Sequence, residues 1–214
     1  MRRIVCALAL MLLTAVPDAA AQDVAAQESA TPAEHFIAEA GAQDLFEALP
    51  SAEKIVIRHR RSGLTCRLDA TWRNRIIVFP QAARGEDIAC DSTDGDRTET
   101  LYATRYSFAT TLSEQFNGAV DAIRRRFPDA RPYAAAATDV FPGLPPSLSG
   151  AFLVTRPADH APMYTQINVA MSRNWVFVMR YTALAADSAS EARAAADARS
   201  AWSSALAEIA ADRL

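Results

Sequence analysis

The stretch that decides the fold is Thr98-Glu-Thr-Leu-Tyr-Ala-Thr-Arg-Tyr-Ser107 followed by Phe108-Ala-Thr-Thr-Leu-Ser-Glu-Gln-Phe-Asn-Gly-Ala-Val-Asp-Ala-Ile-Arg-Arg-Arg-Phe-Pro128. The first ten residues alternate. Leu101, Ala103, Arg105 and Ser107 fall on one face, and Tyr102, Thr104 and Tyr106 on the other, which is the period of a strand. Then the period changes. Thr111-Leu-Ser-Glu114 has the form of a capping box. Leu112, Phe116, Ala119, Val120, Ile123 and Phe127 form one apolar stripe at helical spacing. Arg124, Arg125 and Arg126 fill the last turn, where cations meet the negative end of the helix dipole, and Pro128 stops the helix.

Strands precede this element. Lys54–Arg60, Leu64–Leu68, Arg75–Phe79 and Asp87–Asp91 are short β-patterned runs, punctuated by Ser62-Gly63, Pro80, Gly85 and the turn Ser92-Thr-Asp-Gly-Asp96. Gaps this short make antiparallel neighbours, because parallel pairs need a long crossover. Beyond the helix, the Pro- and Ala-rich residues 131–148 read as an irregular connection within one domain. Strands resume at Ser149–Arg156. Met163–Ala170 and Trp175–Thr182 form a hairpin about Ser172-Arg173-Asn174. Its nearly all-apolar Trp175-Val-Phe-Val-Met179 suits a central strand covered on both faces.

A helix opens the pattern and another closes it. Thr31-Pro-Ala-Glu34 is a helix start, and helical spacing of Phe36, Ile37, Ala40, Leu45, Ala48 and Leu49 carries the expected helix to Pro50, with Gly41 weakening its middle. Ser188-Ala-Ser-Glu191 starts the last helix, with Ala192, Ala195, Ala198, Trp202, Ala205 and Ile209 on one face. The class is α+β: an antiparallel sheet of about seven to nine strands covered by three helices, as one domain over residues 32–214.

The N-terminus concerns address rather than fold. Arg2 and Arg3 precede an apolar run, Ile4–Val16, then Pro17 and Ala19-Ala20-Ala21, the pattern of a secretory signal peptide over residues 1–21. Thirteen residues make ~20 Å of helix against ~30 Å of hydrocarbon, which argues for cleavage after Ala21 over an uncleaved anchor. Cys6 lies inside the run and gives no lipid-anchor site. Residues 22–31 are expected to be a flexible mature N-terminus. Removing Arg2, Arg3 and Asp18 from 22 basic and 25 acidic side chains leaves 20 and 24, a formal charge of −4. That is mild, points to no nucleic-acid partner, and no further apolar run reaches transmembrane length. The expected location is periplasmic or secreted. Cys66 and Cys90, the two cysteines left after cleavage, then read as one disulfide, with two buried thiols as the alternative.

Chemistry-bearing motifs are few. Arg58-His59-Arg60-Arg61 is a basic run, with Arg67, Arg73 and Arg75 further along. Arg58 and Arg60 share a strand face, so Arg58, His59 and Arg60 are the candidate ligand residues, for a small anion or an anionic envelope polymer. The simpler reading is a charged outer face that guards a sheet. Asp91, Asp94, Asp96 and Glu99 crowd one turn, but their spacing is not that of an EF-hand and fits a solvated turn. Asp159-His160 lacks a nucleophile elbow. Glu34, Glu39, Asp44 and Glu47 scatter round the first helix. Trp72, Phe79, Tyr102, Tyr106, Phe108, Phe177 and Tyr181 suit a core, or a cleft. No nucleotide, thiol-redox or zinc-protease motif occurs, and neither a cofactor, a metal nor a catalytic residue is expected. The expected function is a non-enzymatic binding or interaction protein. The alternatives are a hydrolase with an unrecognised site or an accessory subunit of an envelope assembly.

Ser62-Gly-Leu-Thr-Cys66 and Gly85-Glu-Asp-Ile-Ala-Cys90, with the strand Leu101–Tyr106, resemble a group of uncharacterised exported proteins of proteobacteria over residues 54–108. The resemblance implies export and a paired-cysteine hairpin region, and no activity. The order of helices and strands is also similar to the Mog1/PsbP-type α/β/α sandwich, an architectural likeness that fixes no function.

Overall fold

The structure is a computed structural model and describes residues 30–133 and 141–211. The segments 1–29 and 134–140, with the expected signal peptide and most of the expected flexible N-terminus, lie outside the described residues. In chain order the described elements are α1 (Pro32–Glu39), β1 (Phe46–Ala48), β2 (Ile55–His59), β3 (Thr65–Leu68), β4 (Arg73–Val78), β5 (Asp87–Thr93), β6 (Arg97–Thr104), α2 (Leu112–Arg126), β7 (Arg131–Pro132), β8 (Ser147–Thr155), β9 (Pro162–Ser172), β10 (Trp175–Leu184) and α3 (Ser188–Ala211). All strand pairs are antiparallel, and the class is α+β.

The strands divide between two sheets: one of three in the order β1-β2-β3, and one of seven in the order β4-β5-β6-β10-β9-β8-β7. The break falls at Asp69–Trp72, where Asp69 Oδ1 accepts from Thr71 N (2.9 Å) and Thr71 Oγ1 (2.7 Å) and turns the chain out of the small sheet. The two sheets are linked covalently. Cys66 on β3 and Cys90 on β5 form the disulfide, with Cα atoms 6.4 Å apart, so the bond ties sheet to sheet rather than strand to neighbouring strand.

Two apolar layers form on the two faces of the large sheet. On one face α3, α1 and the small sheet bury Ile37, Phe46, Ile57, Leu64, Trp202 and Leu206 against Leu101, Phe177 and Met179. On the other, the stripe Val120, Ile123 and Phe127 of α2 packs on Phe152, Val154, Ile167 and Val169 of β8 and β9. The capping box at Thr111 and Glu114 forms as the sequence indicates. The β9–β10 hairpin closes through Arg173 and Asn174, with φ of 51° and 63°, the left-handed pair that a two-residue hairpin turn needs.

Two helix boundaries differ from expectation. The first helix stops at Glu39 because Gly41 takes a left-handed conformation (φ 60°) and ends it. Leu45 and Phe46, which fit helical spacing, reach the same core from a turn and from β1. At α3 the cap is Asp187, one residue before the expected Ser188. Its Oδ1 accepts from Ser190 N (2.7 Å), and Ser190 Oγ accepts from Asp187 N (3.0 Å). The buried face of α3 is accordingly Ala194, Ala198, Trp202, Ala205, Leu206 and Ile209, and Ala192 is exposed.

Candidate anion-binding site

Strand alternation divides the basic run on β2. Arg58 and Arg60 face outward, and both reach Glu47 of β1, at 2.6 Å from Arg58 Nε and 3.1 Å from Arg60 Nη1. His59 turns inward and is fully buried. Its Nδ1 accepts from Ser62 Oγ (2.8 Å) and Ser62 N (3.3 Å), so the ring proton sits on Nε2, which has no partner. Phe46 and Trp175 flank the ring at 5.2 and 5.6 Å. Burial first, and the nearby Arg61 second, pull the imidazole down to about 4. Ser62 is equally buried, and its hydroxyl oxygen accepts from Leu64 N, which makes the pair a staple of the turn rather than a nucleophile and base. The other histidine of interest, His160, sits in an exposed turn, and its neighbour Asp159 is taken bidentately by Arg156 at 2.7 Å to each oxygen.

Uncommitted positive charge gathers elsewhere, on the large-sheet face that α2 leaves open. Cross-strand register builds the surface row by row. One row runs Arg73–Thr93–Thr98–Thr182 across β4, β5, β6 and β10, and the next runs Arg75–Asp91–Thr100–Arg180. The third, Ile77–Ala89–Tyr102–Val178, is apolar apart from its tyrosine, and its Val178 packs into the layer under α2. Arg126 and Phe127 at the end of α2, with Arg156 and Met163, wall the polar rows into a trough of about 370 Å³. Five arginines line it, against Asp91 as its one carboxylate.

The hydrogen bonds sort these charges. Asp91 is buried and saturated: Oδ2 takes Arg75 Nη2 at 2.7 Å, and Oδ1 accepts from Thr100 Oγ1 at 2.7 Å. Arg156 is held by Asp159, with Asp96 at 3.6 Å. Arg73, Arg126 and Arg180 form no ion pair among the described residues. Arg180 is the telling one, since its Nε is shut off from solvent without an acceptor. A guanidinium N–H in that state has lost water and gained nothing, a deficit of about 1–3 kcal/mol.

A second concavity lies on the opposite face, between β3, β6 and α3, with a volume of about 400 Å³. Its charges are mixed and mostly matched: Arg67 with Glu208, Arg97 with Asp197 at 3.7 Å, and Lys54 with Asp69 at 3.9 Å. Arg97 also lies 4.2 Å over the Trp72 ring. Glu99 forms no hydrogen bond or ion pair among the described residues, and burial raises its carboxyl above the ordinary range while Arg97 and Lys54 pull it back. Beside it, burial pushes Tyr181 up to about 12. Asp91 and Glu99, grouped by the sequence, thus face opposite sides of the sheet. Among the described residues no set of three His, Cys, Asp or Glu is placed to hold a metal ion.

Of the arginines named in the basic reading, Arg73 and Arg75 reach the trough and Arg67 does not. Arg126, Arg156 and Arg180 were missed as site residues. The available signal was a polar pair at i, i+2 on four strands, Arg73-x-Arg75, Asp91-x-Thr93, Thr98-x-Thr100 and Arg180-x-Thr182. No helix among the described residues is long and apolar enough to cross a membrane. No family model, curated protein or solved structure matches the chain.

Proposed function

We propose that this is an exported, non-enzymatic binding protein that takes an anionic ligand in the arginine trough. One observation carries the reading: Arg180, partly desolvated and without an acceptor, lines one concavity with Arg126 and Arg73, in a chain whose formal net charge is −3. Positive charge concentrated in a concavity of an acidic protein focuses its field there and raises the local concentration of anions. Guanidinium groups suit carboxylate, sulfate and phosphate through their forked donors. The signal-like N-terminus and the disulfide support export to an oxidising compartment.

The test is a thermal-shift and calorimetric screen of organic anions at low ionic strength, repeated on Arg180→Met. A bound anion raises the melting temperature by mass action. Saturable binding that weakens with salt and falls at least about tenfold in Arg180→Met supports the reading, as expected for loss of a charge-assisted hydrogen bond. Binding that is indifferent to Arg180→Met, or none at all, refutes it.

A further inference from the structure

The unpaired cations of the trough stand at its two ends. Arg180 lies on β10, Arg126 enters the same concavity from the end of α2, and Arg73 lies on the edge strand β4. Three strand spacings separate β10 from β4, about 14 Å. One small anion cannot meet both ends at once. Arg75 lies nearer but is held by Asp91.

Between the ends the floor has a different polarity. Thr98 Oγ1 donates to Thr93 Oγ1 at 3.0 Å, and Thr100 Oγ1 donates to Asp91 at 2.7 Å. Both hydroxyl protons are therefore placed, and each oxygen keeps lone pairs for an incoming donor. The ends of the trough call for anions and its middle calls for O–H or N–H donors. A polyphosphate has no such donors. An extended peptide has amide donors but also carbonyls, and the backbone of β5, β6 and β10 is paired on both sides and has no N–H to give them.

Resting on the anion-binding reading above, we infer that the trough holds a linear acidic oligosaccharide. It lies across β10, β6, β5 and β4, with one acidic group on Arg180 and Arg126, another on Arg73, and sugar hydroxyls donating to Thr98 and Thr100 between them. Specificity then resides in length as well as charge.

Oligogalacturonides of one to eight units, titrated calorimetrically into the wild type, Arg180→Met and Arg73→Met, test this. In the wild type, affinity climbs with length until the trough is spanned and then levels. Arg180→Met weakens every length. Arg73→Met leaves the monomer unchanged and removes about tenfold of the gain shown by the longer chains. Arg73 is exposed on an edge strand, so its variant should fold as the wild type does, which its melting temperature checks. If affinity does not depend on length, or if Arg73→Met weakens all lengths alike, the spanning mode is wrong while the anion site stands. If tripolyphosphate binds as tightly as the longest glycan, the donor-seeking floor is wrong, and if oligoglutamate or a single-stranded RNA oligomer does, the assignment to a saccharide is wrong. If Arg180→Met changes nothing at any length, the anion site itself falls.

Discussion

Acid should weaken this protein through His59. The imidazole is fully buried, takes two donors at Nδ1 and lies between Phe46 and Trp175. Protonation would put a hydrogen on the nitrogen that now accepts, and a charge into an apolar pocket near Arg61. The folded protein therefore takes this proton only near pH 4, whereas an open chain takes it at 6.5. The unfolded state holds more protons between those values, so stability is full above 6.5 and is lost as pH falls toward 4. With about 1.4 kcal/mol for each tenfold difference in proton affinity, the loss is about 2 kcal/mol on going from pH 7 to pH 5 and about 3 kcal/mol by pH 4. The assay is urea unfolding of the wild type and His59→Leu across pH 4–7. The variant starts less stable, since it breaks the Ser62 turn, but the difference between the two proteins should shrink by those amounts as the pH drops. Raised carboxyls such as Glu99 and Asp87 titrate in both proteins and cancel. A difference that stays constant with pH, or an imidazole NMR titration centred above pH 6, would refute the reasoning.

Glu99→Gln should raise stability at pH 7. The carboxyl's proton affinity is raised in the fold, so its ionisation opposes folding once pH exceeds the ordinary value of 4.5, and the gain should vanish near pH 3.5. A variant less stable than the wild type at neutral pH would show that Glu99 has a partner in solution. Reduction of Cys66–Cys90, which are 24 positions apart, should cost about 3.5 kcal/mol, or a fall of about 10 °C in melting temperature. A scan with and without phosphine that differs by less than about 2 °C would mean that the packing between the sheets does not need the bond.

What the sequence told and withheld divides along one physical line. Elements set by neighbours in the chain were legible: α2, with its capping box and basic last turn, and the β9–β10 hairpin, with a turn at Arg173-Asn174. The split of the strands into two sheets was not, because it turns on an Asx turn at Asp69 that looks like any other loop. The first helix was overrun because Leu45 and Phe46 satisfy a helical period by coincidence while Gly41 takes a conformation that ends the helix. In the basic run, Arg58 and Arg60 share the outward face that alternation indicates, but the pairing of both with Glu47, eleven residues before Arg58, and the burial of His59 between them depend on β1 and the core and are not legible locally.

The trough was hidden for a related reason. Its rows exist only because β10 inserts beside β6, a pairing that joins Thr98–Thr104 to residues near 180 across the whole of α2, β8 and β9. Local pattern can show that Arg180 interrupts an apolar strand, not that Thr100 and Asp91 lie next in its row. The interruption itself has physical content. Along the row Arg75–Asp91–Thr100–Arg180–Ile167 the surface passes from a half-buried ion pair to the apolar floor beneath α2, and Arg180 stands at that border. An aliphatic residue there would extend the α2 contact and leave no N–H stranded, so stability alone favours replacing it. A guanidinium at that border has low-dielectric protein on one side and open solvent on the other, which strengthens its pull on an anion without sealing the way in. On the proposed reading, an anion bound beside Arg180 offsets the cost that the stranded N–H carries.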